Sequence, residues 1–291
     1  MQAIDVHAHP STEVFCETFK PYVEALERYW GKSSFRVRTE EQMVQEFVDA
    51  DVKVLLVAFD AETVSGLPRT SNDYIASLVK KYPETIIGGF GSVDPWKGEL
   101  ALIEAERAVK ELGLIGFKFH QIMQKFYPND PRFYPLWEKL TELKAVVQFH
   151  MGTTGMGAGT PGGMREHLKY AAPIPYLDDV AADFPDLTII ALHPAVPWTD
   201  EMTTVALHKA NVYWDLSGWA PKYFPPSLKK DVGSRLQDKV LFGSDYPSIP
   251  YKRLMDEWKA NGHKDSVLEK IFYKNAQRVL RLPSAAAVSA P

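Results

Sequence analysis

The sequence is poor in features that would assign it to a secreted or membrane class of protein. Cys16 is the only cysteine among 291 residues, so no intramolecular disulfide can form and a reducing compartment is expected. No apolar run is long enough to cross a bilayer, and the first residues lack a basic segment followed by an apolar one. These absences predict a cytoplasmic protein with no membrane partner.

Neither sign of charge dominates the chain. Its 33 basic and 37 acidic residues give a formal net charge of -4 and form no block of one sign. Proteins that bind nucleic acid or anionic membranes usually carry a basic surplus, so neither partner is expected. The hydrophobic content of 45% is enough for a substantial core, as one large barrel or two smaller domains.

Short apolar segments alternate with helix-like segments along nearly the whole chain. Eight apolar segments lack the alternation of a half-exposed strand, as expected for parallel strands covered on both faces. They span residues 3–8, 52–59, 85–92, 114–120, 145–150, 187–193, 212–217 and 239–244. Helical patterns fill the intervals; Thr39 and Gln42, for example, form a capping-box pattern ahead of a helix to Ala50.

Eight β/α units without a break in composition favour a single (β/α)8 barrel of the TIM type. A Rossmann-like sheet is the alternative, but it requires a glycine-rich turn after the first strand, where this chain has HAHP (7–10). The next segment, to about residue 39, is long and aromatic, which predicts a helical insertion covering one edge of the site. The barrel is predicted over residues 1–282, and the Ala-, Ser- and Pro-rich tail at 283–291 is predicted to be disordered.

Histidines recur at the carboxyl ends of the predicted strands, where the side chains of a barrel converge on one pocket. His7 and His9 lie two residues apart on one strand, so both point to the same side and can share one metal ion. A strand whose histidines are satisfied by hydrogen bonds is the alternative. Five of the eight histidines lie at such strand ends, more than scattered core histidines would give: His7, His9, His120, His150 and His193.

The residue types at these strand ends suit one divalent metal ion. Neutral imidazoles with one carboxylate favour a borderline cation, and Asp245 in LFGSDYP supplies a carboxylate after the eighth strand. Three histidines and one aspartate leave an open position for a water molecule or a substrate oxygen. Zinc is the first expectation, and manganese or iron would be compatible with the same ligands.

Five segments, together with the histidine pair of the first strand, resemble the amidohydrolase superfamily. The closer resemblance is to its amidohydrolase-2 branch, which is related to aminocarboxymuconate-semialdehyde decarboxylase. The resemblance covers roughly residues 3–280 and rests on the order and spacing of the five segments. The segments read GFKFHQ, FYPNDPRFYPLWEKL, VVQFHMGTTG, PDLTIIALHP and VLFGSDYP.

The resemblance implies a role for each matching residue. It implies His193 as the general acid and base, and it implies four metal ligands: His7, His9, His150 and Asp245. Asp245 at longer range would instead hydrogen-bond the bound water. Lys118 and His120 match a pair on the fourth strand whose role in the branch is less uniform. We expect His120 to line the pocket and Lys118 to be a neutral or charge-stabilising neighbour, with a carboxylated lysine that bridges two metals as the alternative.

Three further segments after the strands carry predictions about the pocket. Arg69 would bind a substrate carboxylate or be a solvated loop residue. Trp219 would form part of an aromatic wall around a planar substrate, or pack in the core or at a subunit interface. The glycine-rich segment 152–163 lacks the Gly-Lys-Ser/Thr of a P-loop and is predicted to be a mobile loop over the barrel mouth. The aromatic segment WAPKYFPP (219–226) and the resemblance predict a homodimer.

The predicted site supports two reactions with the same residues. In hydrolysis a metal-activated water attacks a carbonyl and His193 protonates the leaving group; in non-oxidative decarboxylation His193 helps to protonate the carbon that loses CO₂. Because Arg69 is the only obvious clamp for a carboxylate, we predict a hydrolase of a small carboxylated or aromatic substrate, with a decarboxylase as the alternative. A scaffold without turnover is disfavoured, since it would not need both His193 and Asp245.

Overall fold

The computed structural model describes residues 1–30 and 36–282 and is centred on an eight-stranded parallel sheet. Each strand pairs with the next one along the chain, so the predicted strands are present in the predicted order. They are β1 Ala3–Ala8, β2 Val52–Val57, β3 Ile86–Gly91, β4 Gly116–Phe119, β5 Val146–His150, β6 Ile189–Leu192, β7 Val212–Asp215 and β8 Val240–Leu241.

Backbone hydrogen bonds between β1 and the segment after β8 bring the two ends of the sheet together. The Asp245 amide donates to the His7 carbonyl at 2.9 Å, and the His9 amide donates to the Tyr246 carbonyl at 3.0 Å. The sheet is therefore a (β/α)8 barrel of the TIM type, as predicted, and not an open Rossmann-like sheet. Because all eight strands run in the same direction, their carboxyl ends meet at one mouth.

Helices surround the barrel and connect successive strands. The α-helices are α1 Glu13–Thr18, α2 Lys20–Trp30, α3 Glu40–Asp49, α4 Glu62–Ser65, α5 Asn72–Lys81, α6 Glu99–Lys110, α7 Gln121–Gln124, α8 Tyr134–Glu142, α9 Asp178–Asp183, α10 Thr199–His208, α11 Pro226–Val232, α12 Tyr251–Ala260, α13 Asp265–Glu269 and α14 Asn275–Val279. Single turns of 3₁₀ or π geometry span Pro95–Lys97, Pro131–Phe133, Pro161–Arg165, Leu168–Ala171, Pro173–Leu177, Pro221–Tyr223 and Lys270–Lys274.

The capping box predicted from the sequence begins α3. The Thr39 hydroxyl accepts a hydrogen bond from the Gln42 amide at 3.2 Å, and the Gln42 side chain accepts one from the Thr39 amide at 3.0 Å. These two bonds satisfy amide donors that a helix start otherwise leaves unpaired. Met43 and Phe47 on the same helix are buried against the barrel, so the capping box and the apolar face both favour a helix at this position.

The segment between β1 and β2 contains the predicted helical insertion. Helices α1 and α2 lie in it, and the buried rings of Phe15 in α1 and Phe19 between the two helices pack at a centroid distance of 4.7 Å. Tyr22 of α2 donates a 2.6 Å hydrogen bond to Glu166 in the segment after β5, so two long connections meet beside the mouth.

Several predictions about the whole chain are not tested by this fold. The predicted tail at 283–291 lies outside the described residues, and the domain boundaries and the homodimer stay predictions. Within residues 1–30 and 36–282, no helix is both long and apolar enough to cross a bilayer.

Candidate active site

A cavity of about 580 Å³ opens at the carboxyl ends of the strands, where the sequence predicted a pocket. His7 is fully buried at its wall, and His9 is partly exposed to it. Side chains alternate along a strand, which turns His7 to the barrel interior together with Asp5. Asp5, however, accepts hydrogen bonds from Ser244 and Tyr251 and from the His7 amide, so its carboxylate joins β1 to the segment after β8.

His7, His9 and Asp245 form a cluster with the geometry of a metal site. His9 Nε2 lies 3.2 Å from Asp245 Oδ1, and His7 Nε2 lies 3.7 Å from the same oxygen. One ligand atom from each of the three residues lies within 4.8 Å of the others. His7 Nε2 is buried and makes no hydrogen bond, which is unusual unless another partner occupies it. Two imidazoles and one carboxylate fit a divalent transition metal.

Two residues at the carboxyl end of β7, Asp215 and Ser217, contact the other side of the His7 ring, and sequence reasoning did not single them out. His7 Nδ1 lies 3.0 Å from Ser217 Oγ and 3.4 Å from Asp215 Oδ2. Such outer partners fix the ring orientation and tautomer of a metal-binding histidine. The signal was present, because Asp215 and Ser217 stand at the carboxyl end of the seventh strand. Gly243 makes room for this carboxylate, since a Cβ there would lie 2.3 Å from Asp215 Oδ1.

Alternation on β4 separates the core side chains from those of the cavity. Phe117 and Phe119 belong to the main apolar core, whereas Lys118 and His120 line the cavity. The Lys118 side chain is buried and its Nζ makes no hydrogen bond. Burial lowers the pKa of Lys118 to about 7, although the Asp245 and Asp215 carboxylates oppose this shift.

His150 lies in the cavity but outside the three-residue cluster. Its ring stacks on His120 at a centroid distance of 4.0 Å and lies 4.6 Å from the His193 ring. Its Nε2 lies 3.1 Å from the Thr153 carbonyl, to which it can donate a hydrogen bond. The predicted ligation by His150 therefore stays a prediction, and a change of ring orientation would be needed to turn Nε2 towards an ion.

His193 is positioned by the same loop that holds His7. Its Nδ1 lies 3.1 Å from the Ser217 carbonyl, so a proton on Nδ1 leaves Nε2 as the acceptor of the ring. Gly218, with a φ of 75°, allows this close approach, because a Cβ there would lie 2.9 Å from His193 Nδ1. His193 lines the cavity and its ring centroid lies 5.2 Å from that of His7.

The protonation states of the cavity favour a bound cation. Burial, reinforced by Lys118, lowers the pKa of His193 to about 4 against the attraction of Asp245, and burial also holds the pKa values of His7 and His150 well below their usual range. Burial alone would raise the pKa of Asp245, but the His9 hydrogen bond and the neighbouring histidines hold it well below its usual range. Neutral imidazoles and an ionised carboxylate are the forms that bind metals.

Of the two predicted substrate contacts outside the strands, one lies in the cavity. Trp219 lines it beside Gly218. Arg69 does not line it: its side chain is 49% exposed and forms a 3.1 Å ion pair with Glu62, so the expected carboxylate clamp faces a carboxylate of its own chain. Among the described residues at the cavity wall, the cations are Lys118 and Arg253 of α12. Sequence reasoning missed Arg253 because it lies on a helix and not at a strand end.

Aromatic side chains and one glycine-rich loop form the rest of the wall. Phe15 stacks beside the His9 ring at 4.9 Å, and Phe59 and Trp219 line the same cavity. Thr154 and Met156, from the glycine-rich segment predicted to lie over the mouth, also contribute to the lining. The cavity therefore combines a polar cluster with flat apolar surfaces, which suits a planar ligand with polar substituents.

Parts of two curated proteins are similar to parts of this chain. Gamma-resorcylate decarboxylase of Polaromonas sp. (strain JS666 / ATCC BAA-500) is 31% identical over 97 residues, which are 31% of this chain and 29% of that protein. The 2-amino-3-carboxymuconate-6-semialdehyde decarboxylase of Dictyostelium discoideum is 33% identical over 79 residues, or 27% and 22% of the two chains. The matched segments thus span less than a third of the length of either relative.

Solved structures share the whole fold at low sequence identity. An uncharacterized TIM-barrel protein, Bb4693 from Bordetella bronchiseptica, has a TM-score of 0.80 and 23% identity over 97% of this chain and 99% of its own. Dihydroxybenzoic acid decarboxylase from Polaromonas sp. JS666, with bound manganese and the inhibitor 2-nitroresorcinol, has a TM-score of 0.66 and 19% identity over 99% of both chains. A family model described as Amidohydrolase matches residues 4–282, and the chain therefore belongs to the amidohydrolase-2 family.

Proposed function

We propose that this protein is a metal-dependent, non-oxidative decarboxylase of small aromatic carboxylic acids. The observation that carries the proposal is the cluster of His7, His9 and Asp245, with an unpaired buried His7 Nε2, in a cavity with aromatic walls. The named relatives and several similar structures are decarboxylases, which supports this reaction over the hydrolysis that the sequence favoured. The preference for hydrolysis rested on Arg69 as the only obvious carboxylate clamp, and Lys118, which lines the cavity, is proposed as the clamp in its place.

His7, His9 and Asp245 would hold the metal ion, and His150 is proposed as a fourth ligand. When bound, the ion would supply a Lewis acid that binds and orients oxygen atoms of the substrate. Manganese is the first ion to test, because two of the similar structures contain it, and the expectation of zinc has no such support. Ser217 would keep the His7 ring in the tautomer that exposes Nε2.

The remaining residues would bind the acid and move one proton. Phe15, Phe59 and Trp219 would hold the ring and exclude water, and Lys118 would attract the carboxylate. A proton adds to the ring carbon that bears the carboxylate and forms a C–H bond with a π electron pair of the ring. The C–C bond then breaks, its electron pair returns to the ring and CO₂ leaves, so no oxidant is needed. His193 is proposed to accept a proton on Nε2 from a substrate hydroxyl or from solvent and to give it to this carbon, because its Nδ1 is engaged by the Ser217 carbonyl.

The proposal is tested by incubating manganese-loaded protein with 2,6-dihydroxybenzoate and with 5-carboxyvanillate and measuring CO₂ release. We expect turnover by the parent protein and a loss of about 10²–10⁴-fold in His193→Asn, as for removal of an acid–base group. His208→Asn is the matched control, because His208 is exposed on α10 away from the cavity. Cleavage of esters, amides or lactones by a protein that leaves a panel of aromatic acids untouched would overturn the proposal in favour of hydrolysis.

A further inference from the structure

Arg253 is the cation at the outer part of the cavity that the proposed reaction does not use. It lies in the first turn of α12, lines the cavity that holds His7 and His9, and its side chain is 47% exposed. Lys118, the other cation at the wall, is only 2% exposed. The cavity therefore has a buried positive group near the histidine cluster and a second one at its exposed end.

The Arg253 guanidinium is held in place by its own helix and by the loop after β7. Its Nε donates a 2.8 Å hydrogen bond to Glu257 Oε1, one helical turn away. Glu257 Oε2 in turn accepts a hydrogen bond from the Lys222 amide at 3.2 Å, which ties α12 to the turn Pro221–Tyr223. The hydrogen bonds from Arg253 and the Lys222 amide hold the pKa of Glu257 below its usual value even though burial opposes this, so the carboxylate stays ionised.

This arrangement leaves N–H donors of the Arg253 guanidinium available for a ligand. An arginine has five N–H donors; Glu257 engages Nε and Tyr223 also hydrogen-bonds the side chain, so further donors of the guanidinium remain for an anion. Tyr223 and Trp219 line the cavity beside Arg253 and offer flat surfaces next to the charge. A flat ligand with one carboxylate at the histidine cluster would direct its opposite edge towards this end.

We infer that Arg253, positioned by Glu257, binds a second anionic group of the substrate, so that the enzyme selects aromatic acids with a carboxylate or phenolate remote from the reacting carboxyl group. The inference rests on the proposed function for the orientation of the substrate. It assigns Arg253 the clamp that the sequence had assigned to Arg69. No step of the reaction passes through Arg253, so it is a specificity residue.

The test compares binding of benzoate, isophthalate and terephthalate to the manganese-loaded protein by titration calorimetry. We expect one of the two dicarboxylates to bind about 10- to 100-fold more tightly than benzoate, the range of a charge-assisted paired hydrogen bond. Arg253→Gln should abolish this preference, which is read as the ratio of dicarboxylate affinity to benzoate affinity. Glu257→Gln should reduce the preference, because it frees the guanidinium without removing its charge.

Arg235→Gln is the matched control. Arg235 is also an exposed arginine paired with a carboxylate four residues away, Asp231, but it lies outside the cavity. The inference is overturned if the parent shows no preference for a dicarboxylate, if Arg253→Gln keeps the preference, or if none of the three acids binds. Because binding is measured without turnover, a preference that depends on Arg253 in a protein that decarboxylates no acid would refute the proposed reaction alone.

Discussion

Replacing Lys118 with methionine is expected to stabilise the metal-free protein at neutral pH. The Lys118 Nζ is buried without a hydrogen bond, and burial lowers its pKa from 10.5 to about 7, against the attraction of Asp245 and Asp215. Methionine is similar in length to the lysine stem and carries no charge, so Lys118→Met keeps most of the packing. The variant therefore isolates the cost of the amine.

The magnitude follows from the two pKa values. Between about pH 7 and pH 10.5 the unfolded chain keeps a proton on Lys118 that the folded protein has released, so the stability of the parent rises with pH in this window. Each pH unit corresponds to about 1.4 kcal/mol, which gives a cost of about 4 kcal/mol at pH 7. We expect Lys118→Met to be more stable than the parent by about this amount at pH 7, and the difference to vanish near pH 10.5.

The assay is urea unfolding of chelator-treated protein, followed by tryptophan fluorescence and circular dichroism from pH 6 to pH 10. Lys80→Met is the control, because Lys80 is exposed on α5 and should give a difference that is small and independent of pH. A difference between parent and Lys118→Met that does not change with pH would refute the reasoning. So would a variant that is less stable than the parent at pH 7.

One serine variant and one glycine variant, with a glycine control elsewhere, test how the residues around the metal site support it. Ser217→Ala removes the 3.0 Å partner of His7 Nδ1 and is expected to weaken manganese binding by about 10- to 100-fold in calorimetry; unchanged affinity would mean that Ser217 does not orient the ring. Gly218→Ala adds a Cβ at a φ of 75°, 2.9 Å from His193 Nδ1 and 3.1 Å from Asp245 Oδ2, and should cost about 1–2 kcal/mol in thermal unfolding and also impair manganese binding. Gly66→Ala, at a φ of 67° with no atom within 4 Å of the added Cβ, should show the backbone cost alone. Equal manganese binding in both variants would contradict the claim that a Cβ at Gly218 crowds His193 and Asp245.

The barrel and the histidine pair were predictable because both depend on local sequence patterns. Apolar runs of strand length recur at the intervals of β/α units. His7 and His9 lie two residues apart on a strand, so strand geometry alone places both side chains on the same face. The strand ends were less predictable: the eighth was expected over residues 239–244, whereas β8 is Val240–Leu241. The residues after it leave the ladder because Ser244 and its amide bind Asp5 instead.

The parts of the site that the sequence did not predict depend on contacts between distant segments. Asp215 faces His7 because Gly243, on the neighbouring strand segment, has no side chain to block the carboxylate. Arg69 follows a strand as a clamp should, but Glu62 is close enough to pair with it. Arg253 lines the cavity because α12 begins right after the segment that follows β8. None of these three contacts can be predicted from the spacing of the residues in the sequence.

Lys118 connects the stability of the fold with the chemistry of the site. A buried amine without a hydrogen bond costs folding free energy, and an apolar side chain of the same length would fill the space without that cost. Polar groups that break the rules of core packing are typical of functional positions, where stability is lost for the sake of chemistry. The same burial that lowers the pKa of Lys118 also lowers that of His193, whereas the His9 hydrogen bond and the neighbouring histidines keep Asp245 ionised against the effect of burial. The protonation states of the buried lysine, the imidazoles and the carboxylate therefore depend on one another. Together they would favour the binding of a metal ion at the histidines and Asp245 and of an acid beside Lys118.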